Sequence, residues 1–137
     1  MSSRPKNSYV AVVDDDESVG RSLGRLLRAA GFQPVTYPSA EAFLQDSKRP
    51  RFDCLVLDIQ LEGISGLELS NRLAAVSDTT PVIFITAQED PEERSIIEAT
   101  GCIGYFRKTD PGSDILELIR NTLQVSGLDK PTPTITA

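Results

Sequence analysis

Short apolar runs alternate along the chain with longer stretches in which apolar residues return every three or four positions. That alternation predicts repeated strand-helix units and a parallel sheet covered by helices, an α/β sandwich of three layers. The runs Tyr9 to Val13, Val35 to Tyr37, Cys54 to Leu57, Val82 to Ile85 and Ile103 to Arg107 are read as five strands. A first helix is expected from Glu17 to Ala30, where Val19, Leu23, Leu26, Leu27 and Ala30 form a stripe and Gly31 supplies a stop. A short second helix should follow Ser39 as its N-cap, and a third should begin near Ser65 with Leu69, Leu73 and Val76 inward. The fourth has Asp90 as N-cap, Pro91 at its first position, Glu93 at the capping-box position and Gly101 as its end, with Ile96 and Ile97 inward. The fifth, from Pro111 or Ser113 to Val125, carries Ile115, Leu116, Ile119 and Leu123 on one face.

Beyond Val125 the pattern stops in a polar, proline-bearing segment, so residues 126–137 are expected to be a flexible tail or the stub of a linker. Residues 1–8 read as an N-terminal extension and 9–125 as one domain. The chain has 137 residues, enough for a single continuous core. No apolar stretch approaches a membrane span, and the first residues lack the apolar core of a secretory signal, so the cytoplasm is the expected compartment.

Charge and composition then remove whole classes of function. A net charge of −6 argues against a surface that binds DNA directly. There is no histidine, which excludes serine-histidine and cysteine-histidine catalysis and most zinc hydrolase sites. Cys54 and Cys102 form no paired motif and read as packed thiols. Any chemistry must come from carboxylates, hydroxyls, amines and a metal.

Such groups stand at four strand ends: Asp14-Asp15, Asp58, Thr86 and Lys108. In an open parallel sheet, the carboxyl ends of the strands are where ligands bind. Asp14, Asp15 and Asp58 with Lys108 leave a surplus of about −2, which a hard divalent cation such as Mg²⁺ would neutralise. Taken singly, each has a plain structural use. An acidic run before a helix caps exposed N–H groups, Asp58 or Thr86 can close a turn, and Lys108 can be a solvated charge. Their joint occurrence in order on strand ends favours a phosphoryl-transfer site.

With those residues in view, the chain resembles a response-regulator receiver domain of bacterial two-component signalling, with a fold like that of the chemotaxis regulators. The resemblance is carried by Val-Val-Asp-Asp-Asp-Glu-Ser-Val at 12–19, Leu-Val-Leu-Asp-Ile at 55–59, Gly-Leu-Glu-Leu at 66–69, Phe-Ile-Thr-Ala at 84–87 and Gly-Tyr-Phe-Arg-Lys at 104–108. It implies a flavodoxin-like fold with five parallel strands in the order 2-1-3-4-5. It also implies that Asp58 takes a phosphoryl group from a histidine kinase or phosphotransfer protein. Asp15, Asp58 and the backbone carbonyl of Gln60 would ligate Mg²⁺, with Asp14 acting through a water. Thr86 and Lys108 would engage the phosphoryl oxygens, Thr86 and Tyr105 would switch the face of helix 4, strand 5 and helix 5, and Gln60 and Gln88 would tune the lifetime of the adduct. That face leaves room for a homodimer. The implied protein is not an enzyme beyond its own phosphorylation and slow dephosphorylation.

Two departures from the family pattern stand near the site. Thr109 replaces a proline that usually follows the lysine in a cis bond, which predicts either a strained loop or a trans bond on a different path. Glu62, followed by Gly63, replaces a second usual proline. They give weight to a rival reading, a receiver-like interaction module that works largely without phosphorylation. A third reading is a Mg²⁺-dependent phosphohydrolase of the haloacid dehalogenase type, with Asp14-Asp15-Asp16 as nucleophile and acid. It lacks an acidic pair closing a later strand, and it leaves Asp58 unexplained.

Overall fold

A computed structural model describes residues 8–127, with side chains as far as 123. Five strands, β1 (Tyr9–Val13), β2 (Gln33–Tyr37), β3 (Cys54–Asp58), β4 (Val82–Thr86) and β5 (Gly104–Arg107), form one sheet in the order β2-β1-β3-β4-β5. Every pairing is parallel. The helices α1 (Glu17–Ala29), α2 (Ala40–Gln45), α3 (Gly66–Ala75), α4 (Pro91–Glu98) and α5 (Gly112–Gly127) alternate with the strands. The expected order and layering are therefore present.

Because successive side chains of a strand point to opposite faces, the central strands divide their apolar residues between two cores. Ala11, Val13, Leu55, Leu57 and Phe84 pack with Phe43 of α2, Leu69 and Leu73 of α3 and Ile97 of α4. On the other face, Val10, Val12, Val56, Ile83 and Ile85 pack with Leu23 and Leu27 of α1 and Ile115 and Ile119 of α5. Both cores are closed to solvent at the sheet.

Several boundaries and orientations differ from expectation, each for a local reason. β2 starts at Gln33 because it pairs along its whole length with β1, Tyr9 opposite Gln33, and an edge strand tolerates Pro34. Val76 does not point inward. It is the C-cap of α3 and 72% exposed, and Ser77 turns the chain at φ 63° immediately after it. Ile96 is also exposed, because the short α4 presents Ile97 to the core and the next residue round the helix falls on the outside. Leu26 lies at the rim of its stripe, against Gly112, rather than inside. Asp90 caps α4 by accepting from the Glu92 amide at 3.0 Å, but Glu93 does not return the bond, so the capping box is half formed. α5 continues to Gly127, two residues past the expected end of the domain, and the rest of the expected tail lies outside the described residues.

Candidate functional site

Strand register builds the site. Val13 is opposite Leu57, Asp58 is opposite Ile85, and Thr86 is opposite Arg107. Asp14 therefore emerges level with Asp58, and Lys108 follows one step beyond Arg107. By strand alternation Asp14, Asp58 and Lys108 continue the α1/α5 face, whereas Thr86 and Tyr105 continue the face covered by α2, α3 and α4. The charged cluster and the two candidate switch residues thus leave the same sheet edge from alternate strand positions, and the charge of Asp58 still reaches Glu93 of α4.

The Lys108 ammonium donates to Asp14 Oδ1 at 3.0 Å and to Asp58 Oδ2 at 2.9 Å, with all three side chains largely or wholly buried. Asp58 Oδ1 accepts from the Gln60 amide at 3.0 Å, and Asp14 Oδ1 accepts from the Asp16 amide at 2.8 Å. Asp15 is exposed at the rim. Asp14, Asp15 and Asp58 can each offer one oxygen such that the three lie within 4.8 Å of one another. Asp14 Oδ2 is buried without a partner. A buried carboxylate oxygen with nothing to accept from is costly unless a cation or an ordered water completes it. A hard divalent ion suits this all-oxygen donor set.

Electrostatics agree with the geometry. Burial, offset by the Asp16 amide and reinforced by the charge of Asp58, pushes the Asp14 carboxyl up to about 6. Burial works to lower the Lys108 pKa, but the hydrogen bonds and charges of Asp58 and Asp14 together outweigh it, and the ammonium is held above its ordinary range.

Thr86 is fully buried, and its hydroxyl donates to the Gln88 carbonyl at 2.9 Å while accepting from the Gln88 amide at 3.3 Å. The Thr86 side chain is therefore tied to the Gln88 backbone. The Tyr105 ring is half-buried and lies under the Arg94 guanidinium, 5.4 Å from the ring centroid. Its hydroxyl is shut off from solvent without a well-formed hydrogen bond. Burial, then Glu93 and Glu89, push its pKa up, while the backbone of Asp90 pulls the other way. Glu93 has a buried oxygen without a partner, and its pKa is raised by burial, then by Asp90 and Asp58.

Lys108 reaches the cluster without the usual proline after it. The described residues contain no cis peptide bond, so Lys108 to Thr109 is trans, and the Lys108 amide donates to the Thr86 carbonyl at 2.7 Å. Asp16, which the phosphohydrolase reading needs as an acid, is instead the N-cap of α1. It accepts from the Ser18 amide at 3.0 Å and the Ser18 hydroxyl at 2.7 Å. Asp110 accepts from the Arg107 amide at 2.8 Å and so serves its own turn.

Two residues beside the site had no role assigned from the sequence. Gly66 begins α3 against the end of β3, where an added Cβ would run into the Asp58 carbonyl oxygen and lie 2.9 Å from its carbon. Glu41 reaches from α2 to the loop after Asp58, accepting from the Ile64 amide at 2.8 Å. The Gly66 signal was present as part of the Gly-Leu-Glu-Leu stretch. Glu41 gave none, because its partner lies 23 residues away.

Comparison with known proteins gives consistent results. A family model described as the response regulator receiver domain matches residues 10–120. The response regulator protein TmoT of Ectopseudomonas mendocina is 34% identical over 126 residues, covering 91% of this chain and 57% of that protein. The response regulator StyR, solved at low resolution, is 39% identical with a TM-score of 0.76, over 88% of this chain and 61% of that one. A receiver domain protein from Methanospirillum hungatei JF-1, described as CheY-like, shares the fold at 23% identity, TM-score 0.77, over 85% and 93% of the two chains. The chain spans about half the length of the curated relatives it matches.

Proposed function

The chain belongs to the response regulator receiver domain family, and from that premise we propose that Asp58 accepts a phosphoryl group from a phosphohistidine on a partner kinase or phosphotransfer protein. The observation that carries this reading is the Lys108 ammonium bridging Asp14 and Asp58 inside a trio of converging carboxylates. The chain has no histidine, so the donor must come from elsewhere.

In the transfer, an Asp58 oxygen forms a bond to phosphorus as the phosphorus–nitrogen bond of the donor breaks, and the leaving imidazole takes a proton from solvent. Mg²⁺, held by Asp15, Asp58 and the Gln60 carbonyl with Asp14 through a water, would supply charge neutralisation at the phosphoryl oxygens. Lys108, already directed at Asp58, meets the same developing charge from the protein side. The Gln60 amide fixes the other Asp58 oxygen and orients the carboxylate. Catalysis here is positioning and electrostatics, with no side chain required as a general base.

The product carries close to two negative charges and strong acceptor oxygens. The Thr86 hydroxyl leaves the Gln88 carbonyl to donate to a phosphoryl oxygen, and Tyr105 turns into the space released. The α4-β5-α5 face changes with it, as a population shift between two packings that the phosphoryl group contacts differently. Gln60 and Gln88 flank the line of approach of hydrolytic water and tune the lifetime of the adduct. The face is a candidate homodimer surface, the protein acts in the cytoplasm, and this chain does not itself bind DNA.

Incubation with Mg²⁺ and a small phosphodonor, followed by intact mass measurement, tests the assignment. One phosphoryl increment on the parent and none on Asp58→Ala is expected. An increment that survives in Asp58→Ala overturns it, no increment on either favours the interaction module, and release of phosphate without an adduct favours the hydrolase.

A further inference from the structure

The loop that follows Asp58, residues 59–65, contains Gln60 and closes one side of the site, yet its composition gives it little rigidity of its own. It has no proline, and Gly63 adopts a φ of 75°. Backbone bonds hold its ends, with the Ile59 amide on the Ile85 carbonyl at 3.0 Å and the Gly66 amide on the Ile59 carbonyl at 3.2 Å. In its middle the Ile64 amide donates to Glu41 Oε2 at 2.8 Å.

Glu41 stands in the first turn of α2, whose own start is fixed by Ser39 accepting from the Ala42 amide at 3.0 Å. The carboxyl is held below its ordinary range first by the Ile64 amide, then by its own backbone, against a smaller opposing effect of burial, with the charge of Arg72 assisting. Gly63 fits the same contact. A Cβ there would run into Glu41 Oε2 and lie 3.1 Å from Cδ, so glycine both permits the turn and leaves room for the carboxylate.

We infer that Glu41 is a positioning residue of the phosphoacceptor site, a latch from α2 that fixes the 59–65 loop through the Ile64 amide and thereby places Gln60 against Asp58. Gln60 is the connection, because its amide orients Asp58 at 3.0 Å. The part of the inference that concerns Mg²⁺ rests on the function proposed above, in which the Gln60 carbonyl ligates the ion. The same carboxylate ties α2, otherwise remote from the site, to the site's geometry.

Four variants test the latch: Glu41→Ala, Glu41→Gln, Gly63→Ala and the Glu41→Ala/Gly63→Ala pair. Each is followed by amide hydrogen exchange at Gln60 and Ile64 and by Mg²⁺ titration of the amide spectrum. Glu41→Ala should speed Ile64 exchange by about tenfold or more and weaken Mg²⁺ binding several-fold, less than the roughly 10- to 100-fold lost with a group bonded directly to a metal ligand, since Glu41 acts one step further out. Glu41→Gln keeps a neutral acceptor of the same shape and should fall between. Gly63→Ala should resemble Glu41→Ala, and the pair should lose less than the sum of the two, because the methyl then meets no carboxylate. Folded Glu41→Ala protein with exchange and Mg²⁺ affinity within about twofold of the parent overturns the inference. If Glu41→Ala does not fold, Glu41→Gln decides it by the same criteria, because alanine at Gly63 is strained by its φ of 75° whether or not Glu41 is there. A parent that binds no Mg²⁺ sinks the functional reading instead, and the latch is then decided by the Gln60 and Ile64 exchange alone.

Discussion

The Lys108 ammonium lies 2.9 Å from Asp58 Oδ2, although the two residues are 50 positions apart and β4 runs between their strands. A lysine can reach over an intervening strand because its stem is long and flexible while its charge is compact. The same ammonium also holds Asp14 at 3.0 Å, so one positive charge is shared between two carboxylates. Replacing Lys108 with Met keeps the stem and removes the charge. The rate of phosphoryl uptake from a small donor should then fall on the order of 10²-fold, the usual effect of losing one charge-stabilising donor. Single-turnover mass kinetics on the two proteins measures it.

Asp14 makes the carboxylate cluster sensitive to pH in a defined direction. Its carboxyl titrates near 6 in the folded chain against an ordinary value of 3.8, so the folded state binds the proton more tightly. The stabilisation from that proton is complete below about pH 4 and is lost as pH rises through about 6, by at most about 3 kcal/mol. Asp14→Asn should remove this pH dependence and stabilise the metal-free protein at neutral pH, while weakening Mg²⁺ binding. Urea unfolding between pH 4 and 7.5 in the presence of a chelator checks the sign. Added Mg²⁺ should raise the parent's stability in proportion to the logarithm of its concentration, and the variant's much less.

Thr86 separates the packing role of a buried hydroxyl from its signalling role. Its Oγ1 is the partner of both the Gln88 carbonyl and the Gln88 amide. Thr86→Val keeps the shape but leaves those two backbone groups short of a partner, at a cost of about 1–2 kcal/mol. Phosphoryl uptake should survive, since Asp58 and Lys108 are untouched, whereas the amide shifts of α4 and β5 that accompany it should shrink. Spectra of both proteins with and without the phosphodonor compare the two effects.

The fold was legible because alternation and helix caps agree along the chain: Ser39 and Asp90 cap the helices expected of them, and the third helix starts at Ser65 as expected. The charged residues were legible for a related reason, since strand ends in a parallel sheet converge whatever the loops do, and Asp14, Asp58 and Lys108 meet accordingly. What periodicity could not give was side-chain direction near helix ends. Val76 and Ile96 fit an apolar stripe by spacing, but a cap and a short helix turn them to solvent. Glu41 was hidden because a bond to a backbone amide leaves no mark on the residue type that provides it. Of the two outcomes left open by the missing proline after Lys108, the chain takes the trans bond, and the Lys108 amide on the Thr86 carbonyl holds the lysine at the end of its strand.

Gly66 offers a strict test of how closely α3 must approach the phosphoacceptor strand. The amide of Gly66 donates to the Ile59 carbonyl at 3.2 Å, and its Cα faces the Asp58 carbonyl with no space for a side chain. The contact is backbone on backbone, so an added methyl cannot be relieved by rotating a side chain. Gly66→Ala must move either the start of α3 or the end of β3. Helix propensity favours alanine by about 1 kcal/mol in a helix interior and by less at this first position, and the steric cost of forced overpacking, about 1–3 kcal/mol, opposes it. A net loss of stability together with slower phosphoryl uptake is expected, because a shift of β3 re-aims Asp58 relative to Lys108. Alanine at Gly24, where an added Cβ meets nothing within 4 Å, is the control that should gain stability and leave uptake unchanged. Equal behaviour of the two variants in urea unfolding and in single-turnover uptake would show that the close approach at Gly66 does not govern the site.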